Sequence, residues 1–243
     1  MVKISERLQT AASMVSDGYT LADVGTDHGY IPIYLLEQKK IPSAIAMDIN
    51  EGPLERAKEH IRLYGLDPYI QTRLSDGVEA LMPGETDSIL IAGMGGGIVM
   101  HILEDGKEVC HAAKELILQP QSELERVRSY LMENGYEILA EEMVLEEEKF
   151  YPMMKVRYTG TFSTTEDVEM LKLSHLYGGL LLKKRHPVLK TYLEKEQKLF
   201  LSIRENLEKQ PESEKIANRL EEVKETLYYN GKAMEYFDGD HER

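Results

Sequence analysis

Residues 21–32 read LADVGTDHGYIP, a short apolar run that ends in Asp23 and continues through Gly25 and Gly29. This order is typical of a strand that passes through a tight turn into a helix, with Pro32 in the first helical turn, where proline is tolerated. Glycines allow the backbone to approach a ligand, and the N–H groups of the helix then face that ligand. Because Gly-rich turns also occur where they only reverse the chain, this segment alone predicts an α/β fold and leaves the ligand open.

Short apolar segments alternate with helical patterns through the first 160 residues. The predicted strands are the apolar run that ends in Asp23 and residues 43–48, 69–74, 87–92, 115–118, 136–145 and 150–158. The last two alternate in polarity and predict a closing antiparallel hairpin, while Ser122 and Glu125 form a capping box that predicts a helix to Asn134. We therefore expect residues 1–160 to form a doubly wound, mostly parallel sheet whose ligands bind beyond the carboxyl ends of the strands.

The chain beyond residue 160 is richer in Leu, Lys and Glu. Two stretches with apolar residues at helical spacing, separated by Gln210 and Pro211, predict antiparallel helices packed as a coiled coil over residues 161–230. The polar residues 231–243 are predicted to be a disordered tail. We expect a monomer, with dimerisation through the apolar stripe as the alternative.

The formal charge of −14 argues against indiscriminate binding to nucleic acid. The charge is uneven, because residues 1–160 hold 15 Lys and Arg against 27 Asp and Glu, whereas residues 161–243 hold 14 against 16. A polyanionic partner would therefore bind the C-terminal part, where Lys183, Lys184 and Arg185 are consecutive. The interleaved glutamates leave a solvated helix face as the alternative. A single cysteine, Cys110, excludes an internal disulfide, and no apolar run reaches membrane-spanning length, so we expect a soluble cytoplasmic protein.

Three acidic residues, Asp23, Asp48 and Asp76, follow three successive predicted strands. Asp48 lies where an acid accepts the hydroxyls of a ribose, and Asp76 lies where a side chain accepts the amine of an adenine. One such carboxylate is usually an ordinary surface residue. Three at one edge of a sheet predict a cleft for an adenosine.

The glycine turn distinguishes between adenosine cofactors. A dinucleotide site has the pattern G-x-G-x-x-G, which lets a pyrophosphate lie on the helix N-terminus, but Asp27 occupies the position of the second glycine. A carboxylate there repels a pyrophosphate and suits S-adenosylmethionine, which carries a sulfonium and an ammonium. An NAD-linked oxidoreductase is the second reading, and an adaptor that binds nucleotide or RNA without catalysis is the third.

The fourth strand ends in Gly93-Met94-Gly95-Gly96-Gly97, which contains no side chain able to act as acid or base. The loop is either a flexible turn or a place where a flat substrate approaches the backbone beside the methyl donor. Gln119, at the end of the fifth strand, offers an amide that reads a base edge, or belongs to a plain turn.

The motifs Asp-Val-Gly-x-Asp-His-x-Tyr-x-Pro, Ala-Gly-Met-Gly-Gly and Leu-Gln-Pro resemble those of the bacterial tRNA (adenine-22-N1)-methyltransferases, the TrmK family. The resemblance extends to the Lys149-Phe150-Tyr151 hairpin and the helical extension, and it departs at Gln121, where the family usually has Asn. It implies a class I methyltransferase fold, S-adenosylmethionine as donor with S-adenosylhomocysteine as product, and N1 of a tRNA adenine as acceptor.

The resemblance also assigns residues to roles. By position, it places Asp23, Gly25, Asp27 and Gly29 in the first cofactor motif, Asp48 at the ribose and Asp76 at the adenine amine. The other residues expected to bind the cofactor are Thr26, His28, Ile49, Gly77 and Gly93. The residues expected at the reaction site are Asp27, Gly93, Met94 and Gly95. The residues expected to contact the substrate are Tyr30, Gln119, Phe150, Tyr151, Lys183, Lys184 and Arg185.

Adenine N1 has its own lone pair, so most of the rate enhancement is expected from positioning. Asp27 is the candidate for stabilising the positive charge that develops on the base or for taking a proton from N6. Because N1 lies on the pairing edge, the base must be unpaired or flipped out, and Phe150 and Tyr151 either stack on it or belong to the core. His28 is either a pocket residue or an ordinary turn histidine. The histidines lack ligand-like spacing, so no metal site is expected.

Overall fold

The computed structural model describes residues 2–161, 167–211 and 213–238. The chain divides into two compact units, Met1–Thr164 and Thr165–Arg243, close to the boundary placed after residue 160 from composition. The elements of the first unit are α1 (Glu6–Met14), β1 (Leu21–Val24), α2 (Tyr30–Glu37), β2 (Ala44–Asp48), α3 (Glu51–Leu63), β3 (Ile70–Leu74), β4 (Ser88–Met94), α4 (Gly96–Asp105), α5 (Lys107–Ala112), β5 (Glu115–Pro120), α6 (Leu124–Glu133), β6 (Tyr136–Glu146) and β7 (Lys149–Tyr158). Those of the second are α7 (Val168–Leu173), a π-helical turn (Ser174–Gly178), α8 (Gly179–Lys183), α9 (Pro187–Glu208) and α10 (Glu214–Asp238).

The strands form one sheet in the order β3-β2-β1-β4-β5-β7-β6. In this order, all adjacent strands between β3 and β5 are parallel to each other. Strand β7 is antiparallel to both β5 and β6. The predicted doubly wound, mostly parallel sheet with a terminal antiparallel hairpin is therefore confirmed. The strand order reverses beside β1, because β2 and β3 lie on one side of it and β4 and β5 on the other. Such a reversal opens a crevice at the carboxyl ends of the strands.

The sheet is buried on both faces, which explains why its central strands are continuously apolar. In β1, Leu21 packs in the cluster that includes α1 and α2, whereas the adjacent Ala22 packs in the cluster that includes α4 and α6. In β4, Leu90 faces the first cluster and Ile91 the second. The two cores hold the strands rigidly, so the loops at their carboxyl ends start from fixed positions.

The predicted capping box of α6 is wrong. Glu123 is the N-cap residue, with a φ of 54°, and its side chain does not cap the helix. The Ser122 hydroxyl instead accepts a 3.1 Å hydrogen bond from Gly96 N, and Glu123 Oε2 accepts one of 2.9 Å from Gly97 N. The pattern failed because the Ser122 side chain binds the start of α4, a long-range contact that local spacing does not encode.

The second unit contains the predicted helix pair, α9 and α10. Glu196, which breaks the apolar stripe, accepts hydrogen bonds from Tyr177 Oη at 2.7 Å, Tyr192 Oη at 2.9 Å and Asn230 Nδ2 at 3.0 Å. Asn230, in the second half of α10, also donates to Leu193 O, in the first half of α9, at 3.0 Å, as expected for two helices that run in opposite directions. The coiled-coil geometry of this pair stays a prediction.

The prediction that residues 231–243 form a disordered tail is wrong for residues 231–238, which continue α10. Ala233 is fully buried, and the Tyr236 hydroxyl donates to Met170 Sδ at 3.1 Å, so tertiary contacts stabilise this polar segment. Residues 239–243 lie outside the described part of the chain.

Candidate active site

The Gly25 turn joins β1 to α2 at the centre of the sheet edge. Gly25 has a φ of +74°, and a Cβ on it would overlap Met94 Cε in the neighbouring loop. Thr26 is buried, and its backbone N–H donates to Met47 O at 2.8 Å. Gly29 is the N-cap of α2 with a φ of +67°, and a Cβ there would contact Ala57 Cβ of α3 at 3.4 Å. The turn therefore requires glycine both for its backbone conformation and for close packing.

Asp23 is a buried carboxylate beside this turn. The Thr26 hydroxyl donates a 2.6 Å hydrogen bond to Asp23 Oδ2. Burial raises the pKa of Asp23 to about 6, the bond from Thr26 opposes this rise, and the nearby negative charge of Asp48 adds to it. A buried carboxylate without a cation is unfavourable, so a cationic ligand group placed here would be stabilised.

Asp48 and Asp76 lie at the ends of β2 and β3, on the far side of β1 from the Gly93 loop. Asp48 Oδ1 accepts a 2.8 Å hydrogen bond from Asn50 N, while the neighbouring Ile49 side chain is 57% exposed. Asp76 is exposed, and it precedes Gly77, which has a φ of +51°. Because Asp48 pairs with Leu74 in the sheet, the two acidic residues occupy adjacent strand ends. The three predicted acids therefore share one edge of the sheet.

The exposed Asp27 carboxylate lies between the Arg56 guanidinium and the His28 ring. Its Oδ1 atom lies 3.3 Å from Arg56 Nη2 and 3.3 Å from His28 Nε2. The His28 ring stacks on the rings of Tyr30 and His60, with both centroid distances 5.1 Å. His60 and Arg56 are four residues apart on α3 and so lie on one helical face. Neither residue was predicted to belong to the site, although their spacing on a helix that follows Asp48 is a usable sequence signal.

The loop after β4 is open at Gly93, which has a φ of +79° and is exposed. Met94 places its methyl group beside Gly25, and Gly95 is the N-cap of α4. At Gly96 a Cβ would overlap Ser122 O, so a side chain there is excluded. This segment combines a tight glycine contact with an accessible backbone, as expected where a flat molecule approaches.

Gln119 is fully buried, and its amide is already used within the protein. Its Oε1 atom accepts hydrogen bonds from Gly93 N at 3.2 Å and from Arg7 Nη1 at 2.9 Å, and its Nε2 atom donates to Pro120 O at 3.4 Å. This geometry disfavours the prediction that Gln119 reads a base edge, because it shapes the Gly93 loop instead. Gln121, two residues later, is exposed.

The hairpin aromatics are both half-buried on β7. Phe150 pairs with Leu145 in the sheet register, and Tyr151 pairs with Val144. Tyr151 also packs against the core and lies under the Arg7 guanidinium, whose Cζ is 5.2 Å from the ring centroid. Stacking on a base stays a prediction for both residues.

The basic cluster, Lys183, Lys184 and Arg185, lies in the second unit where α8 ends and the chain turns towards α9. All three residues are exposed, and Arg185 has a φ of 51°. From Met170 to Leu193 the sequence contains Lys and Arg but neither Asp nor Glu. The turn is thus a local positive region in an acidic protein.

Comparison with known proteins identifies the family. Residues 4–154 match a family model described as a methyltransferase domain. The chain is 34% identical to the tRNA (adenine(22)-N(1))-methyltransferase of Bacillus subtilis (strain 168) over 226 residues, which are 93% of this chain and 94% of that protein. The chain belongs to the tRNA (adenine(22)-N(1))-methyltransferase family.

Solved structures of this family have the same fold along the chain. The B. subtilis M1A22 tRNA methyltransferase TrmK has a TM-score of 0.83 and 31% identity, with 96% of this chain and all of that chain covered. M. capricolum TrmK, solved with the cofactor product S-adenosyl-homocysteine, has a TM-score of 0.80 and 25% identity, with 96% and 98% covered. The family membership removes the basis for the NAD-linked reading.

In the part of the chain that the structure describes, no helix is long and apolar enough to cross a membrane. In the same part of the chain, no three His, Cys, Asp or Glu side chains are grouped so as to hold a metal ion.

Proposed function

We propose that this protein transfers a methyl group from S-adenosylmethionine to N1 of an adenine in tRNA, giving 1-methyladenosine and S-adenosylhomocysteine. The observation that carries the proposal is the buried Asp23 carboxylate beside the Gly25 turn, in a chain that matches the B. subtilis enzyme over nearly its whole length. The activity for which that relative is named gives the position, adenine 22. We propose the same position here.

The residues present fit S-adenosylmethionine. Gly25 is partly exposed and has no side chain to keep a ligand from its backbone, and the buried Asp23 carboxylate favours a cation nearby. We assign the ribose hydroxyls to Asp48 and the adenine amine to Asp76, because these carboxylates occupy successive strand ends. The exposed Ile49 side chain is assigned to the apolar face of the adenine.

S-Adenosylmethionine supplies an electrophilic methyl group: the N1–methyl bond forms as the sulfur–methyl bond breaks, and sulfur keeps the electron pair. The base then carries the positive charge that the sulfonium had. We assign Asp27 to this charge, because its exposed carboxylate is held beside the glycine turn by Arg56 and His28. The open backbone at Gly93 provides room for a planar base to lie close to the donor. Positioning by these groups supplies most of the rate enhancement.

The second unit is the proposed tRNA-binding part. Lys183, Lys184 and Arg185 are exposed, lie in a segment without acidic residues, and can neutralise phosphates of the tRNA backbone. The apolar residues Leu189, Leu193 and Val223 are buried within the chain itself, which favours a monomer over dimerisation through this stripe. We propose a cytoplasmic location, because its substrate is tRNA.

A methyl-transfer assay tests the proposal. The protein is mixed with labelled S-adenosylmethionine and an unmodified tRNA transcript that carries adenine at position 22, and the tRNA is then digested to nucleosides. We expect 1-methyladenosine, and we expect none with a matched transcript that carries guanine at position 22. Transfer to the guanine transcript at an equal rate would refute the position, and no transfer to either would refute the activity.

A further inference from the structure

We infer that Arg7 is a positioning residue of the methyl-transfer site, which fixes the Gly93 loop by holding the amide of Gln119. The catalytic meaning of this inference rests on the proposed function. Arg7 lies in α1, 112 residues before Gln119 in sequence. None of the motifs that point to the cofactor or to the acceptor base includes it.

One oxygen atom connects the three residues. Gln119 Oε1 accepts the hydrogen bond from Arg7 Nη1 at 2.9 Å and that from Gly93 N at 3.2 Å. Only the carbonyl end of the amide can accept from both donors, so Arg7 also selects the orientation of the amide. Because Gln119 is fully buried, water cannot replace a lost partner easily, and the bond from the charged guanidinium is the stronger of the two.

Arg7 is itself held from several directions. Its guanidinium carbon lies 5.2 Å from the centroid of the Tyr151 ring, and its backbone N–H donates to Glu146 Oε1 at 3.2 Å. The Ser5 hydroxyl caps α1 by accepting from Leu8 N. The cation–π contact with Tyr151 and the capped start of α1 therefore help to orient the guanidinium.

Arg7 also borders the accessible face of Gly93. The atoms nearest to a Cβ built on Gly93 are Gln121 Nε2 at 3.8 Å and Arg7 Nη1 at 3.9 Å. The loop that admits the base is thus lined by two N–H donors, one of which fixes the loop through Gln119. Since displacement of a reacting group by about 1 Å can cost roughly 100-fold in rate, loosening this loop should lower kcat.

The test compares Arg7→Met and Arg7→Lys with the control Arg157→Met. Arg157 forms an exposed pair with Glu137 at 2.9 Å, on β7, and its loss should leave activity unchanged. We expect Arg7→Met to lower kcat at least about tenfold while the affinity for S-adenosylhomocysteine stays within about twofold. Arg7→Lys retains a donor but lacks the planar group that stacks on Tyr151, so it should recover part of the rate. Wild-type kcat in Arg7→Met would overturn the inference.

A double-variant cycle with Gln119→Met separates a role through Gln119 from an independent one. If Arg7 acts through Gln119, the double variant should be no slower than Gln119→Met alone. Rate losses that multiply would overturn the inference.

Hydrogen exchange at the Gly93 amide provides a readout that does not depend on catalysis. We expect exchange to accelerate in both Arg7→Met and Gln119→Met and to stay at the wild-type rate in Arg157→Met. Unchanged exchange in Arg7→Met would overturn the link. If the wild-type protein methylates no tRNA, the proposed function fails, and the exchange measurement still decides whether Arg7 fixes the loop.

Discussion

The Thr26 hydroxyl donates a 2.6 Å hydrogen bond to the carboxylate of Asp23, which is buried at the end of β1. This bond lowers the pKa of Asp23, but burial outweighs it and raises the pKa to about 6. The carboxylate is therefore poised to change its charge just below neutral pH.

We expect the affinity for S-adenosylmethionine to increase with pH up to about 6. A cationic ligand favours the ionised carboxylate, so below that pH each unit should weaken binding by roughly tenfold. Calorimetry from pH 5 to 7 should show this slope in the wild type and a weaker, pH-independent affinity in Asp23→Asn. A flat wild-type profile would contradict the assignment of Asp23 to the cation.

The same carboxyl group should make folding stability depend on pH in the opposite direction. The folded state holds the proton more tightly than the unfolded chain, so the free energy of unfolding should fall as the pH rises from about 4 to about 6. Denaturant titrations of the ligand-free protein should show a smaller decrease in Asp23→Asn. An equal decrease in both proteins would assign the effect to other groups.

Gly25→Ala should impair cofactor binding because the added Cβ overlaps a neighbouring side chain. Gly18→Ala is the matched control, because it shares the backbone strain but not this overlap. The two glycines have φ values of +74° and +78°, but only at Gly25 does a Cβ meet a neighbour, Met94 Cε, within 4 Å. Both variants should lose about 1–2 kcal/mol of stability from backbone strain. Only Gly25→Ala should weaken S-adenosylhomocysteine binding, by at least about tenfold. Equal binding by the two variants would show that strain alone matters.

Asp27→Asn should lower turnover with little effect on cofactor affinity. A positioned acid or base contributes roughly 100-fold or more to rate, so we expect a loss of about that size in single-turnover methyl transfer. Asp67→Asn is the matched control, because Asp67 forms an exposed pair with Arg62 at 3.6 Å. Undiminished transfer by Asp27→Asn would remove Asp27 from the catalytic role.

Neutralising Lys183, Lys184 and Arg185 to Gln should weaken tRNA binding and reduce its salt dependence. Each lost phosphate contact lowers the slope of log K against log salt by about 0.7–0.9, so the triple variant should lose up to about 2–3 units. The control triple variant replaces the exposed Lys209, Lys215 and Arg219 in the same unit. An unchanged slope in the first variant would place the tRNA elsewhere.

Local sequence patterns were sufficient to predict the fold and the acidic residues of the candidate site at the strand ends. The alternation of apolar strands and helices predicts the sheet, and the acids at strand ends share the edge that parallel strands create. The continuation of α10 beyond residue 230 was not predictable, because Ala233 and Tyr236 are stabilised by contacts that composition does not reveal.

The part of the candidate site around the loop after β4 depends on contacts between segments that are distant in sequence. Arg7 reaches Gln119, and Ser122 reaches Gly96, through geometry that exists only once the sheet has formed. A buried Gln and an exposed Gln also look alike in sequence, which is why Gln119 was expected to face a base. Only the tertiary packing shows which glutamine side chain is free of contacts within the protein and accessible to a ligand.

The first four N–H groups of α4 all have acceptors: Ser122 Oγ, Glu123 Oε2 and, for the other two, the carbonyl of Gly95. A helix start at this edge of a doubly wound sheet usually attracts phosphate. Here the Glu123 carboxylate, which belongs to the same chain, already occupies this position. A phosphate could bind this helix start only by displacing Glu123, so we expect the start of α4 to disfavour contact with a nucleic-acid backbone.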